Sequence, residues 1–216
     1  MPRRMDAMVT LAIVGGVAAF IGFIIWAAKT AQKQTLANVA ALAARQGLQL
    51  LQEKKAFGVI EPRAEGSQGG RRVRFWAFAT GSGKSRQMWI AAGVEPRRSG
   101  GFTFRLEAQG FSTKVAEFFG AKEITVGDAP FDAAWFVRSN APELLAAALV
   151  PEIRAKLMAM HAAGARQPVK LEQGWVTYAE TGLFTDVKKI ARLEAMLPVL
   201  HDLADVAEVC AGGDGR

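Results

Sequence analysis

The sequence is poor in the residues that most often carry chemistry: one cysteine, Cys210, two histidines, His161 and His201, and one tyrosine. A single cysteine excludes a disulfide framework and a thiolate metal cluster within the chain, and it is compatible with a reducing compartment. The two histidines stand 40 positions apart, and no His, Cys or carboxylate lies at a zinc-ligand spacing from either. Cys210 has no base beside it in sequence, so nucleophilic catalysis is not expected. A complete phosphate loop is missing too. Thr80-Gly-Ser-Gly-Lys-Ser85 ends like one, but the position that needs its first glycine is Phe78. A strand pattern follows where a helix would have to begin, so the segment reads as a hairpin tip and no cofactor is expected.

Charge is absent from Ala7 to Ala28, a run of 22 residues between Asp6 and Lys29. As a helix it would be about 33 Å long, enough to cross a hydrocarbon core of about 30 Å with every backbone polar group satisfied inside the segment. The leading Met-Pro-Arg-Arg resembles the basic start of a signal peptide. The run exceeds the about 7–15 residues of such a segment, and Trp26-Ala27-Ala28-Lys29 is a poor cleavage site. An uncleaved anchor is expected, with Trp26 and Lys29 at headgroup depth. Ala12/Gly16, Gly15/Ala19 and Ala18/Gly22 would let a second copy pack closely in the bilayer, making a homodimer a side expectation. Arg3 and Arg4 nearly balance Lys29 and Lys33; adding Arg45, Lys54 and Lys55 tips the domain toward the cytoplasm.

The charge is unevenly placed. Residues 29–110 hold 14 Lys/Arg against 5 Asp/Glu, and residues 111–216 hold 11 against 14. A basic membrane-proximal half gains about 1 kcal/mol per cation held near an anionic leaflet. Nucleic acid could use the same charge, and so could solvent alone. The residues expected to form an anionic-surface site are Arg71, Arg72, Arg74, Lys84, Arg86, Arg97 and Arg98, interleaved with Trp76 and Phe78.

The remaining pattern predicts an α+β domain. Thr30–Arg45 reads as a helix stopped by Gly47, Ala56–Ile60 as a short strand, and Pro62–Gly70 as a flexible loop. Arg71–Ala79 and Arg86–Val94 alternate like hairpin arms. Val73, Phe75, Ala77 and Ala79 face one way, Arg72, Arg74, Trp76 and Phe78 the other. A strand at Gly101–Ala108 follows, and Phe111–Phe119 is ambiguous. After a strand at Glu123 comes a Gly127-Asp128 turn, then a strand near Ala133–Arg138. Asn140 is placed to cap a helix carrying Leu144, Leu145 and Leu149. Pro151 opens another, with Ile153, Leu157 and Met160 at helical spacing. A hairpin turning at Gln173-Gly174 pairs Leu171 with Val176 and Val169 with Tyr178, leaving Lys170 and Thr177 together on the other side. Thr185 or Asp186 caps a last helix reaching Val209. Its seam of Ile190, Leu193, Leu197, Leu200, Ala204 and Ala207 packs on the sheet, and Pro198 interrupts it. The organisation expected is a basic tail at 1–6, a transmembrane helix at 7–28, a juxtamembrane helix at 29–55, an α+β domain at 56–209 and a flexible tail at 210–216.

Asp128 and Asp132, with Glu123 nearby, could be read as an acid–base or metal pair, or as ordinary turn residues. Gly127, Asp128, Phe131, Asp132, Ser139, Asn140 and Pro151 make a pattern that resembles one in uncharacterised bacterial single-pass membrane-anchored proteins. That resemblance covers about a fifth of the chain; it implies a membrane-tethered α+β domain and supplies no catalytic residue. The expected function is a non-enzymatic interaction or scaffold domain at a membrane, its basic half facing anionic headgroups or a protein partner. An enzyme on a membrane-associated substrate and nucleic-acid binding at the membrane are the alternatives.

Overall fold

Helix α1 (Arg3–Gln46) continues without a break from the apolar run into the domain. The computed structural model describes residues 3–54, 60–109 and 123–212. Within α1 the part Val14–Gln46 is long and apolar enough to cross a membrane, with a window of mean hydropathy 1.7 that none of the described residues buries. Its last turns differ, because Val39, Leu42 and Ala43 are buried. Gly47 ends the helix at φ 62°, and Leu48 N–H donates to Ala43 O while Gly47 N–H donates to Ala44 O. This is the left-handed glycine cap that a β-carbon would disfavour. The helix therefore stops at Gln46, at the glycine expected to end it, and strand β1 (Gln49–Lys54) occupies the rest of the expected juxtamembrane unit at 29–55.

The other strands are β2 (Ile60–Gln68), β3 (Arg71–Thr80), β4 (Gln87–Val94), β5 (Phe104–Ala108), β6 (Glu123–Ile124), β7 (Trp135–Ser139), β8 (Val169–Glu172) and β9 (Trp175–Thr181). They form one antiparallel sheet in the order β1-β2-β3-β4-β9-β8-β5-β7-β6. One face carries Val73, Phe75, Ile90, Val94, Leu106, Val137, Val176 and Tyr178, all fully buried. Helices α2 (Ala129–Ala134), α3 (Pro142–Ala148), α4 (Pro151–Ala162) and α5 (Val187–Gly212) build the layer over it. The predicted α5 seam is buried at all six positions, and Asp186 starts the helix by accepting from the Lys188 and Lys189 N–H groups.

Several local expectations are corrected. Pro62–Gly70 is largely strand β2, because it is paired on both edges, and its Gly66 lies close to Leu48, whose Cδ2 a β-carbon there would meet at 3.0 Å. Pro62 lies outside the Ala64–Gln68 stretch that pairs with β3, so its missing N–H breaks no bond there. Asp128 caps the short helix α2 through Phe131 N–H. Asn140 does not cap α3, whose N-cap position is Ala141 and which has no side-chain cap; its amide instead ties β7 to Gly101 and Thr103. Cys210 belongs to α5 and is buried. The expected elements at 56–59 and 111–119 lie outside the described residues.

The sheet has a polarity relative to α1. Gln46 O, at the end of α1, accepts from Gln68 at the far end of β2. Eight positions earlier, Asn38 donates to Phe184 O, just past the end of β9, where Gly182 N–H bonds Met88 O at the start of β4. Followed toward its apolar segment, α1 thus runs toward the end of the sheet that holds the β3–β4 hairpin tip.

An arginine–tryptophan cleft on the open sheet face

Alternation along each strand sends every second side chain to the face that no described helix covers. Pairing aligns these residues into cross-sheet rows. Arg74 stands opposite Gly93, Gly93 opposite Thr177, Thr177 opposite Lys170, Lys170 opposite Arg105, and Arg105 opposite Arg138. At about 4.8 Å per strand this row is about 24 Å long. One row nearer the hairpin tip, Trp76 faces Ala91 and Ala91 faces Ala179; beyond it Phe78 faces Trp89.

The centre of the face is a cage. The Arg74 guanidinium carbon lies 4.1 Å from the Trp76 ring centroid and 3.9 Å from that of Trp175. The two indoles meet at 61° with centroids 6.5 Å apart. They close over Gly93, where a β-carbon would come within 3.0 Å of Trp76 and 3.2 Å of Trp175. Desolvation pushes the Arg74 pKa down from the ordinary guanidinium value. Toward the hairpin tip the aromatic row continues with Phe78 stacked on Trp89, centroids 6.1 Å apart and planes 8° apart. The Trp89 indole N–H donates to Thr80 Oγ1 at 2.8 Å.

These groups line a cavity of about 500 Å³ whose other wall is charged. Arg105 pairs with Glu107 and Lys170 with Glu172. Glu107 is only 4% exposed, and among the described residues its Oε2 has no partner; neither has the Arg74 Nε–H. Leaving a buried polar atom unpaired costs about 1–3 kcal/mol.

The structure separates the residues expected to form one anionic-surface site. Arg74, Trp76 and Phe78 line the cleft. Arg72 stands at its rim, 5.5 Å from the Trp175 centroid and paired with Glu65 and Glu95. Arg71 is corrected: it is 6% exposed and bound to Glu208 and Asp205 of α5, because strand alternation puts it with Val73 and Phe75. Arg97 binds Glu208 and Gly69 O, and Arg98 lies against Gly212 at the end of α5. Lys84 and Arg86 are exposed at the hairpin tip, at the other end of β3 and about 30 Å away. The cleft residues missed in the sequence are Trp89, Arg105, Glu107, Lys170 and Trp175. Their sides could be read from alternation, but their neighbours depended on strand order.

The carboxylates weighed for catalysis are occupied structurally. Asp132 accepts from the Val126, Gly127 and Asp128 N–H groups, and Asp128 both caps α2 and pairs with Arg154 at 3.2 Å. His161 packs edge-on against Trp135, and His201 lies 3.3 Å from Gln68. Among the described residues no group of three or more His, Cys, Asp or Glu is arranged to hold a metal.

Fold and face together define an α+β domain with helices on one side of its sheet, an aromatic–cationic cleft on the other, and a helix able to cross a membrane. Among solved structures it is similar to the mycobacterial trehalose monomycolate transport factor A, TtfA, with a TM-score of 0.54 and 11% identity over 80% of this chain and 93% of that one. At that identity the likeness is one of fold. No protein-family description matches the chain, and no curated protein does.

Proposed function

We propose that the chain is a membrane-anchored, non-enzymatic binding domain, held by α1 and working through the sheet face that no described helix covers. The asymmetry of the sheet carries this reading. One face is closed by four helices and the last turns of α1, while the other keeps four aromatic rings and a caged arginine around an open cavity. A face that only needed solvating would be polar throughout; large aromatic groups among arginines suit a ligand or partner. The fold's likeness to a protein named as a transport factor supports a role in handling a lipid or partner rather than in catalysis. The structural duties of Asp128 and Asp132 weigh against the enzyme alternative. In this reading the domain is cytoplasmic, and Lys84 and Arg86 at the end toward the anchor meet anionic headgroups, each gaining about 1 kcal/mol at low salt.

The test is site-specific photocross-linking in cells, with a diazirine amino acid at Thr177 in the cleft and, as control, at exposed Ala195 on α5. Capture of one species at Thr177 and none at Ala195 is expected. Equal silence at both positions would sink the proposal, and capture of nucleic acid at Thr177 would replace the occupant.

A further inference from the structure

Resting on that reading of the open face, we propose that its cleft binds the sugar headgroup of a membrane lipid, with a hydroxyl-rich ring stacked on the Trp76–Trp175 pair and hydrogen-bonded between Arg74 and Glu107. The observation that leads here is a pair of orphans. Among the described residues the Arg74 Nε–H is a buried donor without an acceptor, and Glu107 Oε2 is a buried acceptor without a donor. Both residues line the same cavity, whereas buried polar atoms in native proteins are nearly always paired.

The charge pattern selects among ligands. A phosphate or carboxylate would suit Arg74 but only accepts, and it would lie against Glu107 and Glu172. A cation would suit Glu107 but would meet Arg74, Arg105 and Lys170. A neutral hydroxyl both donates and accepts, so a polyhydroxylated group satisfies both orphans without an uncompensated charge. Sugar rings also present C–H faces that pack on indole, and two indoles stand beside Arg74. The dimensions agree. Arg74 leans from β3 onto Trp175 of β9, and β9 lies two strands from β5, which carries Glu107. In the strand register Glu107 also lies four residues further along the sheet than Trp175, so their backbones are about 16 Å apart, a span that the two side chains and about two sugar rings fill. The cavity of about 500 Å³ is in the usual range of about 300–1,000 Å³ for small-ligand sites.

The lipid part of the proposal comes from the direction of the aromatic row. From Trp76 it continues through Phe78 and Trp89 toward the hairpin tip, the end of the sheet toward which the apolar segment of α1 runs. An acyl chain leaving the headgroup along that row stays on aromatic surface and points to the bilayer.

The experiment uses the full chain in phosphatidylcholine nanodiscs doped with diglucosyl diacylglycerol, phosphatidylglycerol or plain diacylglycerol, with free maltose titrated separately. Protection of tryptophan from acrylamide quenching is the readout; of the five tryptophans, Trp76, Trp89 and Trp175 line the cleft. Diglucosyl diacylglycerol is expected to protect, and phosphatidylglycerol and diacylglycerol are not. Glu107→Gln should weaken protection about tenfold, and Thr177→Phe, which fills the cleft and leaves both ion pairs intact, should abolish it. Far-ultraviolet circular dichroism and the melting temperature verify that each variant folds. Equal protection by phosphatidylglycerol overturns the sugar in favour of an anionic headgroup. Maltose protecting as strongly as the lipid overturns the lipid. Silence of every probe while Thr177 still cross-links in cells overturns the ligand class and leaves the open face as a binding surface; loss of the cross-link as well removes that surface.

Discussion

Arg74 and Trp175 stand 101 positions apart in sequence and touch across β4, the guanidinium carbon 3.9 Å from the indole centroid. The contact spans two strand spacings and is possible because the strand between them carries Gly93 there, with no side chain to hold the indoles up. A guanidinium over an aromatic face gains about 0.5–2 kcal/mol according to how far it is desolvated.

Gly93→Ala tests this cage directly. The added β-carbon meets both indoles at 3.0–3.2 Å, so they must separate, at a cost of about 1–3 kcal/mol. Urea denaturation is expected to show that loss, and acrylamide quenching of the native protein is expected to rise. An unchanged midpoint and unchanged quenching would mean that Gly93 is incidental.

A second polar assembly locks α5 to the sheet. Glu180, 5% exposed, accepts the Tyr178 hydroxyl at 2.9 Å and two Arg192 N–H groups at 2.7 and 2.6 Å. Burial, and then the neighbouring carboxylate, pushes the Tyr178 phenol up. Arg192→Met strands a buried carboxylate and should destabilise the protein by about 3–5 kcal/mol. Tyr178→Phe removes one donor while the ion pair survives, costing about 1 kcal/mol. If the two variants unfold at the same denaturant concentration, the assembly is not organised around Glu180.

Acid should weaken the Arg71–Glu208 tie. The Arg71 hydrogen bond, together with the Arg97 N–H and both nearby charges, lowers the Glu208 carboxyl from its ordinary 4.5 to about 2. Its folded value lies below its unfolded one, so its contribution is complete above pH 4.5 and is lost as pH falls toward 2. Its size is of the order of 3 kcal/mol. Glu208→Gln should lose that stability at neutral pH and show a flatter decline between pH 4.5 and 2. Parallel pH profiles of unfolding free energy for the two proteins would refute the assignment.

The orientation can be read with thiol chemistry, but not at the natural cysteine. Cys210 is 2% exposed, so a membrane-impermeant maleimide should leave the folded protein unlabelled and react after denaturation. Ser82→Cys at the exposed hairpin tip, in a Cys210→Ser background, should label only after permeabilisation if the domain is cytoplasmic. Labelling in intact cells would place it on the other side.

What neighbouring residues decide among themselves is legible in the order of the amino acids. The uncharged run from Ala7 to Ala28 and the Gly47 stop describe α1, since a helix depends on bonds four residues apart and on the group that ends them. The Gln173-Gly174 turn fixes the register of its hairpin, and the spacing of Ile190, Leu193, Leu197 and Leu200 sets the buried stripe of α5. Pro62–Gly70 misled because its small and polar residues suit a turn, whereas two neighbouring strands hold it extended. The alternation of β3 correctly set Arg72, Arg74, Trp76 and Phe78 apart from Val73 and Phe75; extended by one step to Arg71, it would have buried that residue too. Only the tertiary structure decided that β9 inserts next to β4, bringing Trp175 to Arg74, and that β5 pairs with β8, bringing Glu107 into the same cavity. Strand order depends on which distant edges satisfy one another's hydrogen bonds and bury a shared face, and no short-range pattern along the chain records that choice.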